Sequence, residues 1–79
     1  KHIVYLAGKG VKILDAKKIG ERLKQLRGSR SQKEVADACD VTDMAISLYE
    51  SGERIPRDEI KVRLAKYFKE SVEAIFFND

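Results

Sequence analysis

From Asp15 to about residue 27, apolar residues recur along one helix face as Ala16, Ile19, Leu23 and Leu26, with Lys17, Lys18, Glu21, Arg22, Lys24 and Gln25 around the rest. This stripe predicts an amphipathic helix. Asp15 is placed to accept from first-turn amides, Leu14 and Ile19 hold the two positions of a hydrophobic staple, and Gly28-Ser29 ends the segment. A second helix is announced by Ser31-Gln32-Lys33-Glu34. There the Ser31 hydroxyl can accept from the Glu34 amide while the Glu34 carboxylate reaches back to the Ser31 amide. Its inner face is Val35, Ala36 and Cys39. After a turn at Asp40-Val41, Thr42 caps a third helix to about Ser51, with Val41 and Ile46 again at staple spacing. Ala45, Ile46 and Tyr49 point inward, which leaves Asp43, Met44, Ser47 and Leu48 outside.

Gly52 closes the third helix, and a loop carries Glu53, Arg54 and Ile55. Pro56, Asp58 and Glu59 then mark the start of a fourth helix. Its stripe is Ile60, Leu64, Tyr67 and Phe68, with Val62 and Ala65 beside it. Ser71 caps a short fifth helix whose Val72, Ile75 and Phe76 seal the core. The expected fold class is all-α, a compact five-helix domain. Residues 1–14 break the helical period: Ile3 to Leu6 form a β-favouring run, Gly8-Lys9-Gly10 offers a turn, and Val11, Ile13 and Leu14 follow. Three readings of this arm are open: a β-hairpin, a loose arm, or an appended remnant that is not native. Two strands alone are marginal in water, so a hairpin has to pack on the helices or on a second copy of the chain. The chain thus divides into an arm, 1–14, and a helical domain, 15–79.

Composition narrows the function classes. With 79 residues there is room for one modest core. The 16 Lys plus Arg against 13 Asp plus Glu give a net charge of +3, a mild bias toward polyanionic partners. One Cys and one His supply neither a disulfide framework nor a metal site, so no metal or other cofactor is expected. An unpaired Cys39 fits a reducing, cytoplasmic setting. No apolar run approaches the roughly 18 residues of a membrane span, so no membrane partner is expected. Asp43 and Glu50 sit on one helix without a nucleophile or His nearby, and catalysis is not expected. The aromatic residues Tyr49, Tyr67, Phe68 and Phe76 follow helical spacing and are read as core.

The second and third helices, about 32 to 39 and 43 to 51, are joined by so short a turn that they must cross steeply. Ala36 is the small residue such a crossing needs, with Val41 as the apolar plug. The outer face of the third helix then protrudes, and a helix of that kind fits the major groove of B-DNA. The stretch SQKEVADACDVTDMAISLYESGERIP carries Gln32, Ala36, Val41, Thr42, Ile46, Glu50 and Gly52 in one frame. Pro56, an Ala65 to Phe68 helix, Ser71-Val72 and Ile75-Phe76 follow. With these, residues 16 to 77 resemble the lambda repressor-like, Xre/Cro-type helix-turn-helix regulators of bacteria, phages and mobile elements.

The resemblance implies roles position by position. Gln32, Ser31 and Thr42 resemble phosphate-contacting residues, and Arg54 and Arg57 flank the loop where such proteins grip the next phosphates. Base reading falls to Asp43, Met44, Ser47 and Leu48. Asp43 can accept from a cytosine amino group, Met44 and Leu48 can pack on thymine methyls, and Ser47 can bond either kind of edge. Arg27 and Glu50 resemble the paired residues that lock the first helix to the third. Two features depart from the family pattern: Gly28-Ser29-Arg30 is a short connector, and Asp40 replaces the usual turn glycine, which implies a left-handed backbone there. The implied function is a transcriptional regulator, read as a repressor, that binds a double-stranded operator as a homodimer. Dimer contacts would come from the last helix, the Phe77 end or the arm, or from a C-terminal effector domain of a longer parent. The competing reading is an antitoxin-like or other protein-interaction module on the same fold, using the Met44 and Leu48 face.

Overall fold

The computed structural model describes the backbone of residues 2–6 and 10–78 and the side chains of residues 14–78. The arm forms two strands, β1 (His2–Leu6) and β2 (Gly10–Leu14), paired antiparallel with Val4 opposite Lys12. The two strands pair as the hairpin reading expected. The turn expected at Gly8-Lys9-Gly10 lies largely outside the described residues. Four α-helices follow: α1 (Ala16–Arg27), α2 (Gln32–Cys39), α3 (Asp43–Ser51) and α4 (Asp58–Phe68). The chain closes in a π-helix, Glu73–Phe77.

α1, α2 and α3 each begin where a side chain satisfies orphan amides, whereas α4 starts after Arg57 without a side-chain cap. The Asp15 carboxylate accepts from the amides of Lys17 and Lys18 at 3.1 and 3.2 Å, and Ser31 and Thr42 accept from Glu34 and Ala45 at 3.0 Å each. Ser71 accepts likewise from the Ala74 amide at 3.0 Å. The reciprocal arm of the box expected at Ser31 takes another course: the Glu34 carboxylate accepts from the Tyr67 hydroxyl at 3.4 Å and ties α2 to α4.

Helices α2, α3 and α4 all end with the same paired backbone bonds. In α2, Val41 N–H donates to Ala36 O at 3.0 Å and Asp40 N–H to Asp37 O at 3.4 Å; Gly52 and Glu53 close α3 in the same way, and Lys69 and Glu70 close α4. This closure needs a left-handed residue, and the three are Asp40 (φ 57°), Gly52 (φ 82°) and Lys69 (φ 58°). The conformation foreseen for Asp40 is present, and Lys69 shares it. Because side chains pay for a left-handed backbone while glycine does not, Lys69→Gly should raise stability by about 0.5–1 kcal/mol. Asp40→Gly should gain less, since Asp tolerates this region better than Lys. Urea denaturation of the two variants checks the order.

The core gathers Leu14, Ile19, Leu23, Val35, Ala36, Cys39, Ile46, Tyr49, Ile60, Leu64, Ala65, Ile75 and Phe76. Tyr67 and Phe68, expected within it, pack half-buried at its margin. On α4 the expectation for Val62 is corrected: Val62 is 43% exposed, and Lys61 is buried in its stead. The Lys61 stem lies under the apolar end of the chain with its ammonium 5.6 Å from the Phe77 ring centre, and its charge reaches the Asp58 carboxylate at 3.2 Å. The π-helix is anchored from α1, where Arg22 donates to the carbonyls of Ile75 and Asn78. Cations are favoured at that carbonyl-rich end.

Candidate nucleic-acid interface

The outward face of α3 is set by the turn before it. Ala36 is fully buried where α2 meets α3, and the closure at Asp40 carries Val41 back against the core. Thr42 then starts α3 with Ile46 and Tyr49 facing inward. Asp43, Met44 and Ser47 are left exposed, Met44 at 69%, while Leu48 is half-buried. Of the residues assigned to base reading, three share a solvent-facing surface and Leu48 sits at its edge. Asp43 also lies in the first turn of α3, where a carboxylate is favoured by the helix dipole.

Behind this face lies a polar cluster. The Arg27 guanidinium forks onto Glu50, Nε to Oε2 at 2.6 Å and Nη2 to Oε1 at 3.0 Å, with the two side chains 17% and 7% exposed. The Gln32 amide donates to the same Glu50 Oε1 at 3.0 Å, so α1, the start of α2 and the end of α3 meet on one carboxylate. Hydrogen bonding to Glu50 raises the Arg27 pKa above the ordinary arginine value, against the smaller opposing effect of burial. The guanidinium therefore stays charged, and the pair loses it only in strong alkali.

The short connector after α1 is held by the same arginine and a second one that sequence reading did not single out. Arg27 Nη1 donates to Arg30 O at 2.7 Å, and Arg30 donates to the carbonyls of Leu26 and Arg27 at 3.0 and 3.3 Å. Arg30 also lies 5.2 Å over the Tyr67 ring and 5.4 Å from that of Phe68. The last carbonyls of α1 thus find donors within three residues, which lets so brief a link suffice.

Ser31 is exposed at the start of α2, and Thr42 at the start of α3. Arg54 and Arg57 are exposed in the loop from α3 to α4; together with Thr42 and Arg63 they line a groove between the α2–α3 turn and α4, which Asp40 and Glu59 also line. Arg63 was not foreseen. Its place emerges only once α4 is folded beside the turn. Gly20 was missed as well. A Cβ there would stand 2.4 and 2.5 Å from the carbonyl oxygens of Glu50 and Tyr49, so α1 and α3 touch backbone to backbone. A glycine in mid-helix was the available signal, since it costs helix stability unless packing requires it.

This surface offers hydroxyls, helix N-terminal amides, guanidinium groups and one large apolar side chain, the donor set suited to phosphates and base edges. Cys39 takes no part: it is buried, and burial pushes its thiol pKa up, only partly offset by Arg63. Among the described residues no group of three or more His, Cys, Asp or Glu is placed to hold a metal, and no helix is long and apolar enough to cross a membrane. No curated protein and no solved structure matches the chain. A family model described as helix-turn-helix does match, over residues 23–75, from mid-α1 through Ile75. On that match, the chain belongs to the Xre/lambda repressor-like helix-turn-helix family of DNA-binding transcription regulators.

Proposed function

We propose that this chain is a sequence-specific repressor that lays α3 in the major groove of a short operator, acts as a homodimer in the cytoplasm, and has no catalytic activity of its own. The helical part, 15–79, reads the DNA, and the arm, 1–14, is a separate element. The observation that carries the reading is the exposure of Asp43, Met44 and Ser47 on a helix flanked by capped N-termini and by Arg54 and Arg57. Asp43, Met44, Ser47 and the margin of Leu48 discriminate bases. Ser31, Gln32, Thr42, Arg54 and Arg57 hold phosphates, and Arg63 is added to them. Gln32 has a further duty here. Its amide nitrogen is committed to Glu50, so its contact to phosphate would come from the remaining N–H with little freedom left to lose.

A mobility-shift titration at two salt concentrations tests this reading. Phosphate contacts release counterions, so the wild-type affinity should fall steeply with salt, and each lost contact should reduce the log-log slope by about 0.9. Arg57→Ala is expected to weaken all DNA sequences alike, whereas Met44→Ala should relax sequence preference and leave the slope unchanged. Absence of binding to any DNA at low salt would end the proposal. One observation favours the second reading, a protein-interaction module: Met44 is an exposed apolar side chain of the kind that anchors protein contacts. That reading predicts binding with little salt dependence.

A further inference from the structure

The ribbon β1–β2 lies outside the residues that the family model matches, and the reading of α2 and α3 leaves it without a role. It is a sheet of two strands, so each strand has one outer edge without a neighbour in the sheet. The π-helix lies against β2. Edge strands in solitary proteins carry charges, prolines or bulges that prevent pairing with another chain. The segment His2-Ile3-Val4-Tyr5-Leu6 has no Lys, Arg, Asp, Glu or Pro.

We propose that the outer edge of β1 pairs antiparallel with β1 of a second copy of this chain, joining two ribbons into a four-stranded sheet that dimerises the protein. The register is symmetric about Val4: Val4 stands opposite the other copy's Val4, and Ile3 opposite its Tyr5, an aliphatic–aromatic pair of the kind that stabilises sheets. Charge selects this edge over the other. The equivalent two-fold on β2 would be centred on Lys12 and would set Lys12 against Lys12, a like-charge pair that opposes association. A two-fold edge is self-complementary, as a homodimer requires, and two linked recognition helices suit an operator of two half-sites. The inference takes its purpose from the operator-binding reading, but its central test contains no DNA.

Sedimentation velocity of the whole chain without DNA should show a dimer. Val4→Lys should turn it into a monomer while the far-UV circular dichroism and thermal melt of the helices persist. Val4→Cys should link into a covalent dimer under mild oxidation, whereas His2→Cys and Leu6→Cys, each facing the other position in this register, should not; Cys39 is buried and gives no background. On an operator with two half-sites Val4→Lys should bind about a hundredfold more weakly than wild type, and on a single half-site equally well. A wild-type chain that stays monomeric overturns the proposal, as does a dimer that survives Val4→Lys, or cross-linking that does not peak at position 4. Failure of DNA binding in an intact dimer would instead count against the operator reading alone.

Discussion

Replacing Gly20 by alanine should lower the unfolding free energy by about 2 kcal/mol, although alanine is the better helix former by about 1 kcal/mol. The added methyl carbon would lie 2.4 Å from Glu50 O and 2.5 Å from Tyr49 O. Both obstacles are backbone, so no side-chain rotation relieves them, and α1 must move away from α3. Overpacking of this kind costs about 1–3 kcal/mol and more where the neighbours are rigid, which outweighs the gain in helix propensity. For a domain of this size the melting temperature should fall by about 10 °C. DNA affinity should also drop below the unfolding range, because α3 is the element displaced. A melt at or above the wild-type temperature would show that the two helices have room to spare. Lys69→Gly shows the converse: in both substitutions the effect on stability runs against helix propensity, because the local backbone decides the sign.

Glu50→Ala should cost about 3 kcal/mol, the lower part of the range for breaking a buried ion pair, because Arg27 keeps some contact with water. Most of the loss comes from the groups left behind. Arg27 would lose both of its bonds to the carboxylate, and Gln32 its acceptor. Replacing both partners, Arg27→Met with Glu50→Leu, should recover much of the stability, since neither charge then remains buried. The double variant should nonetheless bind DNA poorly, as the Gln32 amide is no longer held. Urea melts of wild type, Arg27→Met, Glu50→Leu and the double variant give the coupling, and additive losses would mean that the pair is two independent residues. As the Arg27 pKa is raised, the arginine side of the pair stabilises the fold at every pH below its ordinary value and is lost only above it. Its contribution should therefore be constant across the neutral range.

Several features were legible in the chain because they depend on residues a few positions apart. The caps at Asp15, Ser31, Thr42 and Ser71 need only a short polar side chain followed by free amides. The inward stripes of α1, α2 and α3 follow from the helical period, and the left-handed turn at Asp40 from the absence of a glycine where the family resemblance calls for one. The pairing of Arg27 with Glu50 was readable through that resemblance, and the geometry supplies what it lacked, namely the fork and the third partner Gln32.

What escaped was decided by contacts between distant segments. On α4 the helical period itself sets Lys61 beside the Ile60, Leu64 and Phe68 stripe and Val62 opposite to it, but the residue types argued the reverse. A lysine is tolerated there because its ammonium stands 5.6 Å from the Phe77 ring centre and reaches the Asp58 carboxylate at 3.2 Å. In the same way Glu34 turned from its own helix start to Tyr67 of α4.

Sequence alone thus determined where α1, α2 and α3 begin and end and which face of α3 stays in water, because capping and amphipathic period are properties of adjacent residues. Only the tertiary structure decided that Gly20 is the point of contact between α1 and α3, that one carboxylate joins Arg27 and Gln32, and that Arg63 stands beside Arg54 and Arg57. These depend on how closely and at what angle the helices approach. That distance is fixed by the packing of the whole core, and no local run of residues encodes it.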